Sequence, residues 1–259
     1  MLMTNPEKDS AAIPLPSRDP VAQRILVVLE ACAAGKHPQT IIELVSATGL
    51  AKSTVHRMCW KLVELGLLQH SPDGFSIGTK VFALATANPV INKIRVAAIP
   101  YLVELQHLAG ASNLAILTGR TALIVDGMYT RELRAVPLVG AGLPLHCTAV
   151  GKAIAARLDH NRREELLGPG KLPAATRRTI VQPALFRQHL DRIAETGVGF
   201  SHEEFQLGTH GVAAGFRVRD DTIAAIGCIG RWGDPAISRL AKKIADSALH
   251  LERELAVPA

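Results

Sequence analysis

PQTIIELVSATGLAKSTVHRMCWKLVELG, residues 38–66, reads as a helix, a tight turn and a second helix whose outer face is left polar. Ile41, Leu44 and Val45 fall at i, i+3, i+4 and make one apolar stripe. Thr48-Gly49 then supplies the turn, because glycine accepts positive φ at little cost. The second helix is expected from about Ala51 to Leu65. Within it Val55, Met58, Cys59 and Leu62 recur at i, i+3, i+4, i+7, so at about 100° per residue they share one buried face. Ser53, His56, Arg57 and Trp60 point the other way. Arg57 can bind guanine O6 and N7 bidentately, and Lys52 and Lys61 flank it, so Lys52, Ser53, Thr54, His56, Arg57 and Lys61 are the expected DNA contacts.

The flanking residues extend this unit. Leu67–His70 and Phe75–Ile77 are strand candidates joined by Ser71-Pro72-Asp73-Gly74, where proline second and glycine fourth fit a type I turn. Helices followed by a two-stranded hairpin make the winged form of the helix-turn-helix, with the second helix of the pair in the major groove. Upstream, Val21–Ala34 carries Ile25, Leu26, Val28 and Leu29 on one face, with Asp19-Pro20 as a start and Gly35 as a stop. Residues 1–19 hold three prolines and several charges without periodicity, which predicts a mobile arm.

A chain of 259 residues, 48% apolar and 20% charged, suits a globular protein of two domains. No apolar run approaches the ~18 residues of a membrane span, and the polar N-terminus does not read as a secretory signal, so a cytoplasmic protein is expected. The four cysteines, Cys32, Cys59, Cys147 and Cys228, lie far apart with no C-x-x-C pair, so neither a zinc knuckle nor a disulfide framework is suggested and reduced thiols are expected. Net charge is +6, but residues 1–88 hold eight Lys/Arg against seven Asp/Glu. Basicity is therefore local: Ala51–Lys61 has three cations and no acid, placing positive field on the expected recognition helix.

Beyond the wing, residues 80–99 are expected to form a linker helix, interrupted at Asn88-Pro89, with the domain boundary near Asn88. Pro100 should prevent its straight continuation. The spacing of Ile94, Ala97, Ala98, Tyr101, Leu102, Leu105 and Leu108 carries one stripe past that proline, suited either to dimerisation or to packing within a single domain. From Ala111 the pattern turns to short strands at Asn113–Leu117, Thr121–Val125, Leu133–Val136, Val198–Ser201, Val212–Phe216 and Ile223–Ile229. Tight turns at Gly119-Arg120 and Asp220-Asp221 argue an antiparallel sheet, hence an α+β domain over residues 100–259. Its clearest helices are Pro183–Thr196 and Ala236–Leu255.

Residues 142–153, GLPLHCTAVGKA, read as a loop entering a helix capped by Thr148. Free N–H groups and the positive end of the helix dipole favour an anion there, and Lys152 one turn inside would add charge. An ordinary capped helix packed on the sheet fits the same residues. A metal- or thiol-responsive sensor using His146, Cys147, His202 and His210 is the alternative, although their spacing matches no compact site. No cofactor is expected. Enzymatic use of Cys147 lacks any supporting nucleophile motif, so the chain is not expected to be an enzyme.

Three motifs resemble those of the IclR-type transcriptional regulators. They are Thr48–Arg57 (TGLAKSTVHR), Leu143–Ala153 (LPLHCTAVGKA) and Gly197–Gly208 (GVGFSHEEFQLG) followed by Val212-Ala213-Ala214. They stand in the family's order and cover nearly everything from Val21 onward. The resemblance implies a winged helix-turn-helix over residues 20–79, a linker helix, and a GAF-like effector domain with an antiparallel sheet flanked by helices. It also implies operator DNA as partner, a homodimer or dimer of dimers, and a small organic acid as effector. The positions matching the family's effector contacts are Leu143, Ala149, Val150, Ser201, Gly211, Gly227 and Ile229. Many members carry an acid at the Ser201 position, cysteine at Gly211 and hydroxyls at Gly227 and Ile229. Their replacement predicts a roomier, more apolar pocket, and so an aromatic or extended aliphatic acid.

Overall fold

Thr40 fixes the start of the first helix of the pair. In the computed structural model, which describes residues 20–130, 139–168, 170–219, 222–231 and 233–256, its hydroxyl accepts from the Glu43 N–H at 3.3 Å. The Glu43 carboxylate accepts from the Thr40 N–H at 2.8 Å. This reciprocal cap is what a Thr-x-x-Glu spelling provides. The arm at residues 1–19 and the strand expected at Leu133–Val136 lie outside the described residues. By contacts the chain divides between Asn92 and Lys93 into two units.

The first unit holds α1 (Pro20–Ala34), α2 (Ile41–Thr48), α3 (Lys52–Glu64), β1 (Leu68–Ser71), β2 (Gly74–Ile77) and α4 (Thr79–Ala85). Gly49, at φ 68°, ends α2 in the left-handed conformation expected of the turn. Val28, Leu44, Val55, Cys59, Leu62 and Phe75 meet in one buried cluster, so the stripes read from the sequence do face each other. β1 and β2 pair antiparallel, from Leu68 opposite Ile77 to Ser71 opposite Gly74. A further pairing was not legible: Gln39 exchanges both backbone hydrogen bonds with Phe75, at 2.7 and 2.8 Å. Gly74 permits it, since a Cβ there would lie 2.5 Å from the Gln39 carbonyl oxygen.

The linker is interrupted at Asn88-Pro89 as expected, but the helix that follows does not end at Pro100. α4 stops at Ala85, and α5 (Pro89–Ala109) starts on Asn88, whose Oδ1 accepts from the N–H groups of Val90 at 3.1 Å and Ile91 at 3.0 Å. α5 then runs unbroken through Pro100. The missing proline N–H deprives only the carbonyl four residues back, that of Val96, which belongs to a residue 68% exposed and can turn to water. Ile94, Ala98, Leu102 and Leu105 form its buried stripe.

Among the described residues the second unit adds a six-stranded antiparallel sheet in the order β5-β4-β3-β8-β7-β6. Its strands are β3 (Ala111–Thr118), β4 (Thr121–Tyr129), β5 (Gly142–Pro144), β6 (Gly199–His202), β7 (Thr209–Arg219) and β8 (Thr222–Arg231). Helices α6 (Ala149–Ala156), α7 (His160–Leu167), α8 (Pro183–Thr196), α9 (Pro235–Arg239) and α10 (Ala241–Ala256) complete it. The single helix expected over Ala236–Leu255 is thus two, separated at Leu240, whose N–H bonds to the Ile237 carbonyl in a tighter three-residue turn. Two faces of the sheet are used. A side chain at Gly211 or Gly215 would run into α6, whereas one at Gly230 would meet Ile237 of α9, and the Cys228 thiol donates to the Leu105 carbonyl of α5 at 3.9 Å. The winged unit, the linker helices and the α+β sheet domain together agree with the fold class expected.

Candidate DNA-reading face and ligand cavity

α3 exposes Lys52, Ser53, His56, Arg57 and Lys61 and half-buries Thr54, while Val55, Met58, Cys59 and Leu62 are turned inward. Lys61 is partly committed, its ammonium 2.8 Å from Glu64 Oε2 on the same surface. Trp60 does more than lie exposed beside the basic residues. Its ring stands 4.8 Å from that of His70 and 5.6 Å from that of Phe75, and its Nε1–H donates to His56 Nε2 at 3.1 Å. The indole therefore ties α3 to the wing and fixes His56 with Nε2 as acceptor, leaving Nδ1 to carry the ring's proton. Sequence spacing placed Trp60 on the right face; only the fold shows what it touches.

The cavity of the second unit lies where α6 meets β6, β7 and β8. Leu143, Ala149, Val150, Ser201, Gly211 and Ile229 line it, joined by Asn113, Thr148, Phe205, Gln206 and Thr209. It measures about 50 Å³ and is walled mainly by apolar atoms. Six of the seven effector positions named from sequence thus come together, and Gly227 does not line the cavity. The lining residues that sequence did not name for the site come from β3 (Asn113), the α6 cap (Thr148), the β6–β7 connection (Phe205, Gln206), the start of β7 (Thr209) and β8 (Cys228). One signal for them existed: Asn113 is a polar residue at the head of an apolar strand.

Glycines 211 and 227 do not open the room expected of them. A Cβ on Gly227 would lie 2.6 Å from the Val212 carbonyl oxygen and 2.7 Å from Ala213 Cβ, and one on Gly211 would lie 3.1 Å from Ala149 Cβ. Neighbouring chain has closed in on the space that larger side chains would fill. Close packing is the general response of a protein interior to lost volume. The cavity is small beside the roughly 150 Å³ of an apolar cavity that takes up benzene.

Lys152 also behaves differently from expectation. It is fully buried, and its ammonium donates to Glu204 Oε1 at 2.5 Å and to the Phe200 carbonyl at 3.0 Å. Burial pulls its pKa below the ordinary lysine value, with the Glu204 charge opposing. Its charge is spent on holding Glu204 rather than offered to an anion. That pair anchors the connection between β6 and β7, which supplies the cavity wall at Phe205 and Gln206. The same connection is tied down by the Thr176 hydroxyl donating to the Glu203 carbonyl at 2.7 Å and the Thr179 hydroxyl donating to the Glu204 carbonyl at 2.6 Å. The Thr148 hydroxyl caps α6 by accepting from the Gly151 N–H at 3.1 Å. The N–H groups of Ala149 and Val150 in its first turn then have no acceptor within the helix.

His146, Cys147, His202 and His210 do not form one ligand set. His146 Nε2 is engaged with the Pro173 carbonyl at 2.7 Å, while the rings of His202 and His210 lie 4.6 Å apart. Among the described residues no group of three or more His, Cys, Asp or Glu is arranged to hold a metal ion. Burial pushes the Cys147 thiol up to about 12, so it stays protonated and a poor nucleophile at neutral pH. No helix among the described residues is long and apolar enough to cross a membrane.

A winged helix-turn-helix followed by an α+β domain with a mainly apolar cavity suits a DNA-binding transcription regulator, and comparison with known proteins agrees. Residues 21–72 match the IclR helix-turn-helix domain, and residues 90–252 match the bacterial transcriptional regulator IclR C-terminal domain. The chain belongs to the IclR family and is a DNA-binding transcription regulator, not an enzyme. It is 34% identical over 204 residues to the HTH-type transcriptional regulator Rv1719 of Mycobacterium tuberculosis, covering 76% of this chain and 75% of that protein. It is 30% identical over 215 residues to the glycerol operon regulatory protein of Streptomyces griseus, covering 82% and 83%. Among solved structures, an IclR homolog from Microbacterium hydrocarbonoxydans complexed with 4-hydroxybenzoate superposes with a TM-score of 0.80, covering 91% of this chain and 98% of that one at 22% identity.

The buried ion pair yields a stability prediction. Lys152→Met strands Glu204 without its cation and is expected to cost about 3–5 kcal/mol in urea unfolding, whereas Lys152→Met combined with Glu204→Met should recover most of that loss. A double variant as unstable as the single one would show that the pair does not hold the wall.

Proposed function

We propose that this regulator reads its operator with Lys52, Ser53, Thr54, His56, Arg57 and Lys61, as a homodimer or dimer of dimers on a pseudo-palindromic site. Its operator affinity changes when a small organic acid with an aromatic or extended aliphatic body enters the cavity beside α6. The observation that carries the ligand reading is the convergence of apolar walls with the α6 N-terminus: Ala149 and Val150 both line the cavity, so their N–H groups can meet a carboxylate end while Leu143 and Ile229 flank its body. An acid of ring size bound to a neighbour of the same fold supports the size class. Such an acid is larger than the cavity, so it must displace the wall around Phe205 and Gln206. Displacement gives the ligand different affinities for two conformations, which any ligand-controlled switch requires. Dimerisation is supported by Val96, Ile99 and Val103, an exposed apolar stripe at i, i+3, i+7 along α5.

Arg57→Ala is expected to weaken operator binding by about 1–3 kcal/mol without loss of folding, while Lys52→Ala weakens operator and random duplex alike. The operator comes from genomic pull-down sequencing, and fluorescence titration, saturating at two or four chains per duplex, checks both affinity and assembly. Undiminished affinity of Arg57→Ala would displace the assigned face.

For the ligand, calorimetry over a panel of acids should give micromolar binding for benzoate-sized or longer-chain acids and none for glyoxylate-sized ones. Burying a ring contributes roughly 4 kcal/mol before the cost of association, enough for that range once the carboxylate is held. Binding confined to two- or three-carbon oxo-acids would contradict the proposal.

A further inference from the structure

Asn113 is the buried polar side chain of the cavity whose hydrogen bonds go nowhere. It is 1% exposed, and among the described residues neither its Nδ2 nor its Oδ1 has a partner. The other hydroxyls around the cavity are committed. Thr148 donates to the Pro144 carbonyl at 2.8 Å, Ser201 donates to the Cys147 carbonyl at 2.8 Å, and Thr209 donates to the Gln206 carbonyl at 2.6 Å.

Sheet register explains why Asn113 reaches the cavity. Directly opposed residues share a face, and Asn113 stands opposite Gly227 on β8 and Gly127 on β4. Gly227 continues the same row to Ala213 and Gly199, and a side chain at Gly199 would meet α6. Asn113 is therefore the largest side chain of a cross-strand row, between two residues that have none, on the face that carries α6. A buried carboxamide left unpaired is destabilising, and an apolar residue would suit such a row better unless the amide has a partner to receive.

We infer that Asn113 selects the ligand, and that the effector is an organic acid whose far end carries a neutral hydroxyl or carboxamide. This rests on the acid reading above and adds the second recognition group to it. A carboxamide presents an NH₂ donor and a carbonyl acceptor side by side. A hydroxyl or an amide answers both. A carboxylate answers only the donor and sets its charge against the carbonyl, so the acid end belongs at α6 and the neutral polar end at Asn113. A methyl group of equal size answers neither, and sites built to pair a hydroxyl reject the analogue that lacks it.

The test uses the full chain and two matched pairs of probes, 4-hydroxybenzoate against 4-methylbenzoate and phenol against toluene, with affinities from calorimetry. Wild type should prefer each hydroxylated member at least about tenfold. Asn113→Leu should lose that preference and melt no lower than wild type, because it removes an unpaired buried amide. Asn113→Ala adds no bulk and should also lose the preference, which keeps the comparison open if the leucine variant does not fold. If both benzoates bind equally to wild type, or either variant retains the preference, the role of Asn113 is overturned while the acid reading stands. If neither benzoate binds but phenol is preferred over toluene through Asn113, the acid reading falls and the role of Asn113 survives. Absence of any Asn113-dependent preference in both pairs overturns it.

Discussion

Helix α6 lies directly on the backbone of the sheet, and the site follows from that closeness. A Cβ on Gly215 would lie 2.3 Å from the Ala153 carbonyl oxygen, and one on Gly199 would lie 3.3 Å from that of Ala149. Glycines at these positions let the helix approach, and all eight of its residues are buried as a result. A helix buried all round cannot keep a lysine in water. Lys152 is carried inside, where an uncompensated charge is costly, and Glu204 becomes its necessary partner. Glu204 in turn fixes the connection that walls the cavity. Close approach, buried cation, anchored wall and ligand space are thus successive consequences of small residues on β6 and β7.

The winged unit shows the same dependence at lower stakes. Its core is the expected meeting of helix stripes, but the exposed basic face of α3 is braced by Trp60, which packs tilted and edge-on against the wing while its indole N–H donates to His56 Nε2. Arg57 and Lys52 remain outside this network among the described residues. Orientation therefore comes from the aromatic contacts, whereas the charges stay available to a polyanion.

Local periodicity made the helix pair, the wing and most strands legible, because each depends on neighbours within a few residues. The Thr40–Glu43 cap went unread, although it too depends on neighbours within a few residues. The pairing of Gln39 with Phe75 and the short strand Gly142–Pro144 were not, since each forms only once distant chain arrives beside it. Pro100 does not end the helix for an informative reason: a proline costs one hydrogen bond, and an exposed turn supplies water in its place. At the α6 cavity, family resemblance led to six lining residues but not to Asn113, Phe205 or Gln206, which register and a connection bring in. Glycines 211 and 227 suggested space, yet volume missing from a sequence becomes a cavity only where neighbours cannot close in, and here they do.

Under the function proposed above, one molecule at the α6 cavity changes what the winged unit does to DNA. The most direct measurement is fluorescence anisotropy of a labelled operator titrated with the full chain, with and without saturating 4-hydroxybenzoate at fixed salt. Operator affinity should shift by at least about fivefold, the lower range of allosteric coupling, with affinity for random duplex unchanged. Superimposable operator curves, with calorimetry showing the acid bound, would contradict it.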